Sequence, residues 1–211
     1  MDLSALSESQ GSAMHRKPLL DLLEAYAEAW PNERDCALRI LSLVQDHPDC
    51  FERSCRPGHI TASAWVISAD ASKHLLVHHR KLNKWLQPGG HADGDPDCGA
   101  VALKEAQEES GIAHLQHYSP TPIDLDVHLI PARKSADGQL IEDAHEHHDI
   151  RFLIQATTDA APVVSHESNE VGWFTEEEVL ERTQEVSVVR LLRKTQALLS
   201  ENSSSPSPTV R

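Results

Sequence analysis

The stretch LQPGGHADGDPDCGAVALKEAQEESGI, residues 86–112, predicts a glycine turn followed by a helix. Gly89 and Gly90 follow a proline, and paired glycines allow the chain to turn tightly or to approach a ligand closely. The segment from about 99 to 110 contains good helix formers and no proline, and Gly111 stands where a helix commonly ends. We therefore expect a turn, a polar loop, a helix and a helix C-cap, in that order.

Three glutamates of this predicted helix share one face. Glu105, Glu108 and Glu109 lie at i, i+3 and i+4, the spacing that stacks side chains on one side of a helix. Such carboxylates repel one another unless a cation lies among them, and hard oxygen ligands suit Mg²⁺ or Mn²⁺. A solvated acidic face is the alternative. The opposite face is expected to pack against a sheet through Ala100, Leu103 and Ala106.

The whole stretch resembles the signature of the Nudix hydrolases, G-x5-E-x7-R-E-U-x-E-E-x-G-U, where U is an aliphatic residue and Gly90 is the first glycine. The positions that match at the correct separations are Glu105, Glu108, Glu109, Gly111 and Ile112.

Two positions depart from that signature. Pro96 stands where the family has its first Glu, and Asp95 or Asp97, one residue away on either side, is the candidate substitute. Lys104 stands where the family has an Arg that orients the helix carboxylates, and Lys offers a point charge where Arg offers a planar fork.

The resemblance implies a Nudix-type α/β/α sandwich with a mixed sheet, to which this chain adds an N-terminal helical hairpin. We expect a disordered N-terminus at 1–16, a helical extension at 17–57, the Nudix domain at 58–199 and a disordered tail at 200–211. The hairpin is expected to be a lid or brace packed on the core, and an element for dimerisation or substrate recruitment is the alternative.

The local patterns assign elements around the signature. Helices are expected at 18–30, 32–44 and 188–199, and strands at 60–68, 74–79, 123–130, 148–156 and 171–174. The 131–146 segment is expected to be a polar loop. Thr175 and Glu178 have the form of a capping box that begins a further helix.

The function implied by the resemblance is metal-dependent hydrolysis of a pyrophosphate bond in a nucleoside diphosphate linked to another group. Glu105, Glu108 and Glu109 would hold Mg²⁺, with Mn²⁺ as the alternative ion. The alternatives for function are a house-cleaning nucleoside triphosphate diphosphatase and a catalytically silent module that binds a nucleotide metabolite.

Hydrolysis also needs a base to take the proton from the attacking water. In the family this residue often lies in the loop before a Trp-containing strand, which makes Glu167 the expected base and Glu170 the alternative. A third hypothesis gives both jobs to Glu105 or Glu109. For contacts to the substrate phosphates we expect Arg80 and the turn residues Gly89, Gly90 and His91.

The chain contains 14 histidines, and three of them fall together in the sequence HEHHD: His145, His147 and His148. We expect exposed loop histidines beside the start of a strand. The alternatives are phosphate contacts, a pH-sensitive base, or a zinc site, although no matching Cys or second His pair appears at a known spacing.

The charge and composition of the chain indicate which kinds of partner it binds. A chain of 211 residues with a formal charge of −14 repels nucleic acid, so we expect a small nucleotide-type substrate. The four cysteines form no C-x-x-C pair and no signal peptide or apolar run of 18 residues is present, which predicts a cytoplasmic protein with no membrane partner. The sequence leaves the oligomeric state open, and a homodimer is one candidate.

Overall fold

The computed structural model describes residues 3–204, and the side chains of residues 14–201. In this range the chain forms five α-helices, with a short 3₁₀ turn at Pro31–Glu33 before the second. The helices are α1 (Leu3–Ala29), α2 (Arg34–Asp46), α3 (Cys98–Ser110), α4 (Glu176–Arg182) and α5 (Val186–Ser204). None of the helices within 3–204 is long and apolar enough to cross a membrane.

The same range contains ten strands: β1 (Gly58–Ile67), β2 (His74–His79), β3 (Lys84–Leu86), β4 (Gly89–His91), β5 (Leu115–His117), β6 (Asp124–Ile130), β7 (Arg133–Lys134), β8 (Leu140–Glu142), β9 (His145–Ala156) and β10 (Ser168–Phe174). Eight of them form one sheet with the order β10-β2-β1-β9-β5, in which β3 pairs with β2, β4 with β1 and β6 with β9. The pair β1 and β9 is parallel and the other pairs are antiparallel. The predicted mixed sheet is confirmed.

Helices cover both faces of the sheet. Every residue of β1 is buried as a result. Alternate β1 residues such as Ile60 and Ala62 pack in one cluster with α1, α2 and α3, whereas Trp65 and Ile67 pack in another with α4 and α5. A strand whose two faces are both buried is typical of a sheet between two helical layers. The predicted α/β/α sandwich with an N-terminal helical hairpin is therefore confirmed.

Helix α3 has the expected C-cap and a cap at its N-terminus that was not predicted. Gly111 adopts the left-handed conformation with φ of 69°, where a side chain would be strained. At the other end Asp97 accepts a hydrogen bond of 2.9 Å from the Ala100 N–H. The predicted apolar strip is shifted: Ala100 is exposed, and the buried residues of α3 are Cys98, Val101, Ala102, Ala106 and Ser110.

The N-terminal hairpin packs on the core, as expected for a brace. Leu23 of α1 and Ile40 and Val44 of α2 are fully buried in the cluster that contains Ile60 of β1. Leu38 of α2, by contrast, faces outward and is 47% exposed.

The two segments expected to be disordered, 1–16 and 200–211, overlap the first and last helices of the structure, and their disorder stays a prediction. Helix α1 begins at Leu3, not after residue 16, and α5 continues to Ser204. Residues 1–2 and 205–211 of the two predicted disordered segments lie outside the described residues.

The segment 131–146 was also predicted wrongly as a polar loop without structure. It contains the hairpin of β7 and β8, and β9 begins at His145. By contrast, β2 has the predicted bounds, and Thr175 and Glu178 form the predicted capping box at the start of α4.

Candidate active site

The Gly89-Gly90 turn lies directly against the glutamates of α3. Gly90 belongs to β4, which pairs with β1, and a Cβ placed on it would lie 2.4 Å from the Glu105 carboxyl carbon. Only a residue without a side chain leaves room for that carboxylate. The pKa of Glu105 is raised above its ordinary value, mainly by burial and secondly by the charge of Glu108.

Glu109 is oriented by the same turn. Its Oε1 atom accepts a hydrogen bond of 3.2 Å from the Gly89 N–H. Burial raises the pKa of Glu109 to about 7; the charges of Glu105 and Glu167 add to this rise, and the Gly89 N–H opposes it. Among the residues that the structure describes, no Lys or Arg forms a salt bridge with Glu109, and a bound cation would stabilise a half-buried carboxyl of this kind.

Glu108 lies at the exposed edge of the same helix face. Its carboxylate is 3.8 Å from the Lys104 Nζ, and both side chains are more than half exposed. An exposed i,i+4 pair of this length is weak. Lys104, which replaces the family's Arg, therefore leaves Glu108 available for a ligand.

Glu167 lies in the segment before β10, and its charge acts on the helix glutamates. It raises the pKa of both Glu105 and Glu109. Glu170 lies within β10, opposite His78, and no effect of Glu170 on these carboxyls is resolved. The charge of Glu167 thus acts on the α3 carboxylates, and its role as the base stays a prediction.

Arg80 holds the segment that carries Glu167. Its backbone N–H donates to the Glu167 carbonyl at 3.1 Å, and its Nη2 donates to the Ser168 carbonyl at 3.3 Å. The side chain is exposed, and its predicted contact with a phosphate stays a prediction.

Arg53 is a basic residue at this site that the sequence did not single out. Its Nη2 donates to Asp93 at 2.6 Å, and this hydrogen bond is the main reason for its raised pKa, to which Glu105 and Glu167 contribute. Arg53 comes from the loop after α2, so the N-terminal extension supplies a cation beside the helix carboxylates. No local pattern connects this loop to α3, and only the tertiary fold shows the proximity.

The aspartates proposed as substitutes for the family's first Glu already have structural partners. Asp97 caps α3, and the Asp95 carboxylate accepts a hydrogen bond of 2.9 Å from the Asp97 N–H. These contacts order the loop ahead of the helix.

His91 points away from the glutamates. Successive residues of a strand face opposite sides, and because Gly90 faces Glu105, His91 projects to the other face of the sheet. Its ring lies 5.1 Å from that of His59 and 5.0 Å from that of His147. The predicted contact between His91 and a phosphate is not tested by this arrangement, and it stays a prediction.

The HEHHD histidines do not form an exposed loop, so that expectation was wrong. His145 and His148 are each 3% exposed, and both lie in β9. The strand begins earlier than predicted because Glu146 and His147 pair with Gly58 and His59 of β1. Such long-range pairing has no signal in the local sequence.

The donor set on α3 fits a hard divalent cation. Glu105 and Glu109, which are half-buried, share one helix face with the exposed Glu108, and burial is the main cause of the raised pKa of Glu105 and Glu109. Glu105, Glu108 and Glu109 would hold Mg²⁺ or Mn²⁺, which prefer oxygen ligands.

Comparison with known proteins agrees with this geometry. A sequence profile of the NUDIX domain matches residues 58–195. The chain is 40% identical over 62 residues to the Xenopus laevis protein named nucleoside diphosphate-linked moiety X motif 6, a match that covers 26% of this chain and 29% of that protein. The chain thus spans less than a third of that relative.

A solved structure shows the same fold, and a second one aligns with a lower score. A C. elegans Ap4A hydrolase in a binary complex aligns with a TM-score of 0.52 and 20% identity, covering 67% of this chain and 98% of that one. A NUDIX-family hydrolase from Clostridium perfringens aligns with a TM-score of 0.49 and 22% identity, covering 66% and 97%. Since the domain match spans more than half of the chain and includes the glycine turn and the glutamate helix, the protein belongs to the Nudix family.

Proposed function

We propose that the protein hydrolyses a pyrophosphate bond in a nucleoside diphosphate linked to another group, with Mg²⁺ or Mn²⁺ as cofactor. The observation that carries this proposal is the pair of half-buried carboxylates, Glu105 and Glu109, which lie against the Gly89-Gly90 turn and form no salt bridge with a Lys or Arg among the described residues. Maintaining such charges in a buried place destabilises a protein, and a bound cation compensates for this cost.

The side chains around the turn have separate roles in this reaction. The bound cation would neutralise charge on the phosphate oxygens and make the phosphorus more susceptible to water. The Gly89 N–H fixes the orientation of Glu109, and the bare Cα of Gly90 makes room for Glu105. Arg53 and Arg80 supply positive charge for the substrate phosphates.

Glu167 is proposed as the general base. Its carboxylate takes a proton from the attacking water as the water oxygen bonds to phosphorus, and the bridging oxygen leaves with the departing phosphate. Glu167 is 64% exposed on its side chain, so water reaches it and the proton can pass to solvent. Its influence on the pKa of Glu105 and Glu109 supports this role over that of Glu170.

The substrate class rests on the relatives. One is named for a nucleoside diphosphate-linked moiety, and the C. elegans structure is described as an Ap4A hydrolase. The compounds in both names contain a phosphoric anhydride attached to a nucleoside. We therefore propose nucleotide sugars, ADP-ribose and dinucleoside polyphosphates as the compounds to test first.

The test is turnover of that panel, together with oxidised nucleoside triphosphates, with Mg²⁺ and Mn²⁺; the readout is the phosphate that a coupled phosphatase releases from the products. We expect Glu108→Gln and Glu109→Gln to lower kcat by at least about 100-fold, the scale of losing a group that acts at the transition state. Glu167→Gln should lower kcat more than Glu170→Gln. Glu177→Gln, an exposed glutamate of α4, is the control and should leave turnover unchanged. Unchanged turnover in the α3 variants would remove the metal-site assignment.

Two alternatives from the sequence remain to be separated from this proposal. Preference for triphosphates over nucleoside diphosphate-linked compounds would favour the house-cleaning diphosphatase. The departures at Pro96 and Lys104 favour the silent binding module, which calorimetry would identify through tight nucleotide binding without product formation.

A further inference from the structure

A group of histidines lies on the face of the sheet opposite the α3 carboxylates. His145 and His147 are two residues apart in β9, so their side chains share one face, and His59 of β1 lies directly opposite His147 in the parallel pair. The His59 ring centroid is 4.9 Å from that of His145 and 4.9 Å from that of His147. The two strands thus bring three imidazoles together from distant parts of the chain.

His59 has no hydrogen-bond partner among the residues that the structure describes. Both of its ring nitrogens are buried and unpaired, and the residue is only 1% exposed. A buried polar group normally has a partner, because leaving it unpaired costs about 1–3 kcal/mol. Its position between two other imidazoles suggests that the missing partner is an ion that binds all three.

His145 is oriented as metal-binding histidines are. Its Nδ1 lies 2.9 Å from the carbonyl oxygen of Asp143. Because a carbonyl only accepts hydrogen bonds, Nδ1 carries the proton and Nε2 presents its lone pair. A histidine ligand usually donates its second ring N–H to a carbonyl or carboxylate in this way.

We propose that His59, His145 and His147 form a binding site for a transition-metal cation, Zn²⁺ in the first place, separate from the Mg²⁺ or Mn²⁺ site on α3. One ligand atom from each residue lies within 4.8 Å of the other two. Tetrahedral Zn²⁺ with Zn–N bonds of about 2.0–2.1 Å places its ligands about 3.3 Å apart, so side-chain rotations close the difference.

The chemistry of the ligands distinguishes this site from the one on α3. Imidazole nitrogens suit Zn²⁺, Ni²⁺, Co²⁺ and Cu²⁺, whereas carboxylates and water suit Mg²⁺ and Mn²⁺. Burial lowers the pKa of His59 to about 4 and that of His147 to about 2, so both rings are neutral at pH 7, the form that binds metal. Three protein ligands leave one position for water or for His91, whose ring borders the group.

The test is titration of the full-length, tag-free, metal-stripped protein with Co²⁺, because four-coordinate Co²⁺ gives intense visible absorption and a polyhistidine tag would bind the ion. We expect one Co²⁺ per chain with this spectrum, displaced by one equivalent of Zn²⁺ but not by excess Mg²⁺. His147 is partly exposed, so His147→Gln should not disturb the core. We expect this variant to bind Co²⁺ at least about 10-fold more weakly, because losing a residue that only hydrogen-bonds to a metal ligand already costs about that much affinity. His59→Gln should do the same, and circular dichroism checks that each variant folds.

Three control variants separate this site from other parts of the protein. His74→Gln removes a buried histidine outside the group, and Glu108→Gln removes a carboxylate of α3; both should give the four-coordinate Co²⁺ spectrum of the wild type. His47→Gln tests the other potential ligand group in the described residues, formed by His47, Asp49 and Cys55. Absence of the four-coordinate spectrum, its persistence in His147→Gln, or its loss in His47→Gln would each overturn the proposal.

Discussion

At the scale of single residues, Glu109 links stability to function. Its pKa is about 7 in the folded protein, against 4.5 for an unperturbed Glu, so between these values the folded state binds more protons than the unfolded state. Stability from this group is therefore lost as pH rises from 4.5 through 7. We expect Glu109→Gln to stabilise the metal-free protein at pH 8 by up to about 3 kcal/mol, less whatever solvent screening removes, while abolishing turnover.

The measurement is urea unfolding in EDTA at pH 8 and at pH 5. The stabilisation by Glu109→Gln should shrink at the lower pH, because the wild-type carboxyl is then largely protonated. Glu108→Gln is the matched control, since Glu108 is exposed and should show little change. If Glu109→Gln is less stable than the wild type at pH 8 without metal, the buried charge is not destabilising and the case for a cation there weakens.

The candidate residues that the sequence identified lie within one helix and one turn. The spacing of Glu105, Glu108 and Glu109 is a local property, and the structure places all three on the face of α3 that the spacing predicts. Arg53 and His59 were missed, because Arg53 reaches the site through packing of the extension and His59 through the register of β1 with β9. Tertiary pairing of this kind leaves no periodic signal in a single sequence.

At the scale of secondary-structure elements, the start of α3 depends on one cap. Asp97 accepts the Ala100 N–H, and loss of an N-cap costs about 1 kcal/mol. We expect Asp97→Ala to lower the free energy of unfolding by this amount in urea titrations, while Asp97→Asn retains the stability because asparagine also caps helices.

The same pair of variants separates a cap from a metal ligand. If Asp97 only caps the helix, Asp97→Asn should need the same Mg²⁺ concentration for half-maximal activity as the wild type. A rise of 10-fold or more in that concentration for Asp97→Asn would instead show that the carboxylate binds metal in place of the family's first Glu.

The elements themselves were predictable where local chemistry decides them. The Gly111 cap and the Thr175 capping box are short-range signals, and both are confirmed. The early start of β9 and the length of α1 were not predicted. In β9 the polar residues His145 and Glu146 are held in a strand by pairing with β6 and β1, which their own β-propensity does not indicate.

At the scale of the whole molecule, the N-terminal extension and the Nudix domain share one core. We propose that the segments before and after residue 57 fold together as one unit. Lys194 of α5, whose side chain is 9% exposed, joins them: its Nζ donates to Glu33 at 2.6 Å and to Tyr26 at 2.8 Å, and lies 2.9 Å from Asp124 of β6. One ammonium group thus connects the hairpin, the sheet and the last helix.

Because one buried cation serves two carboxylates, Lys194→Met leaves Glu33 and Asp124 without this partner. We expect a loss of about 3 kcal/mol or more in the free energy of unfolding. Lys17→Met, which breaks an exposed pair with Asp21, should change it little. Calorimetry should show a single transition for the wild type and for Lys194→Met, with equal calorimetric and van't Hoff enthalpies. A separate low-temperature transition for α1 and α2 would instead mean that the hairpin is an independent unit, whose removal leaves the Nudix domain folded.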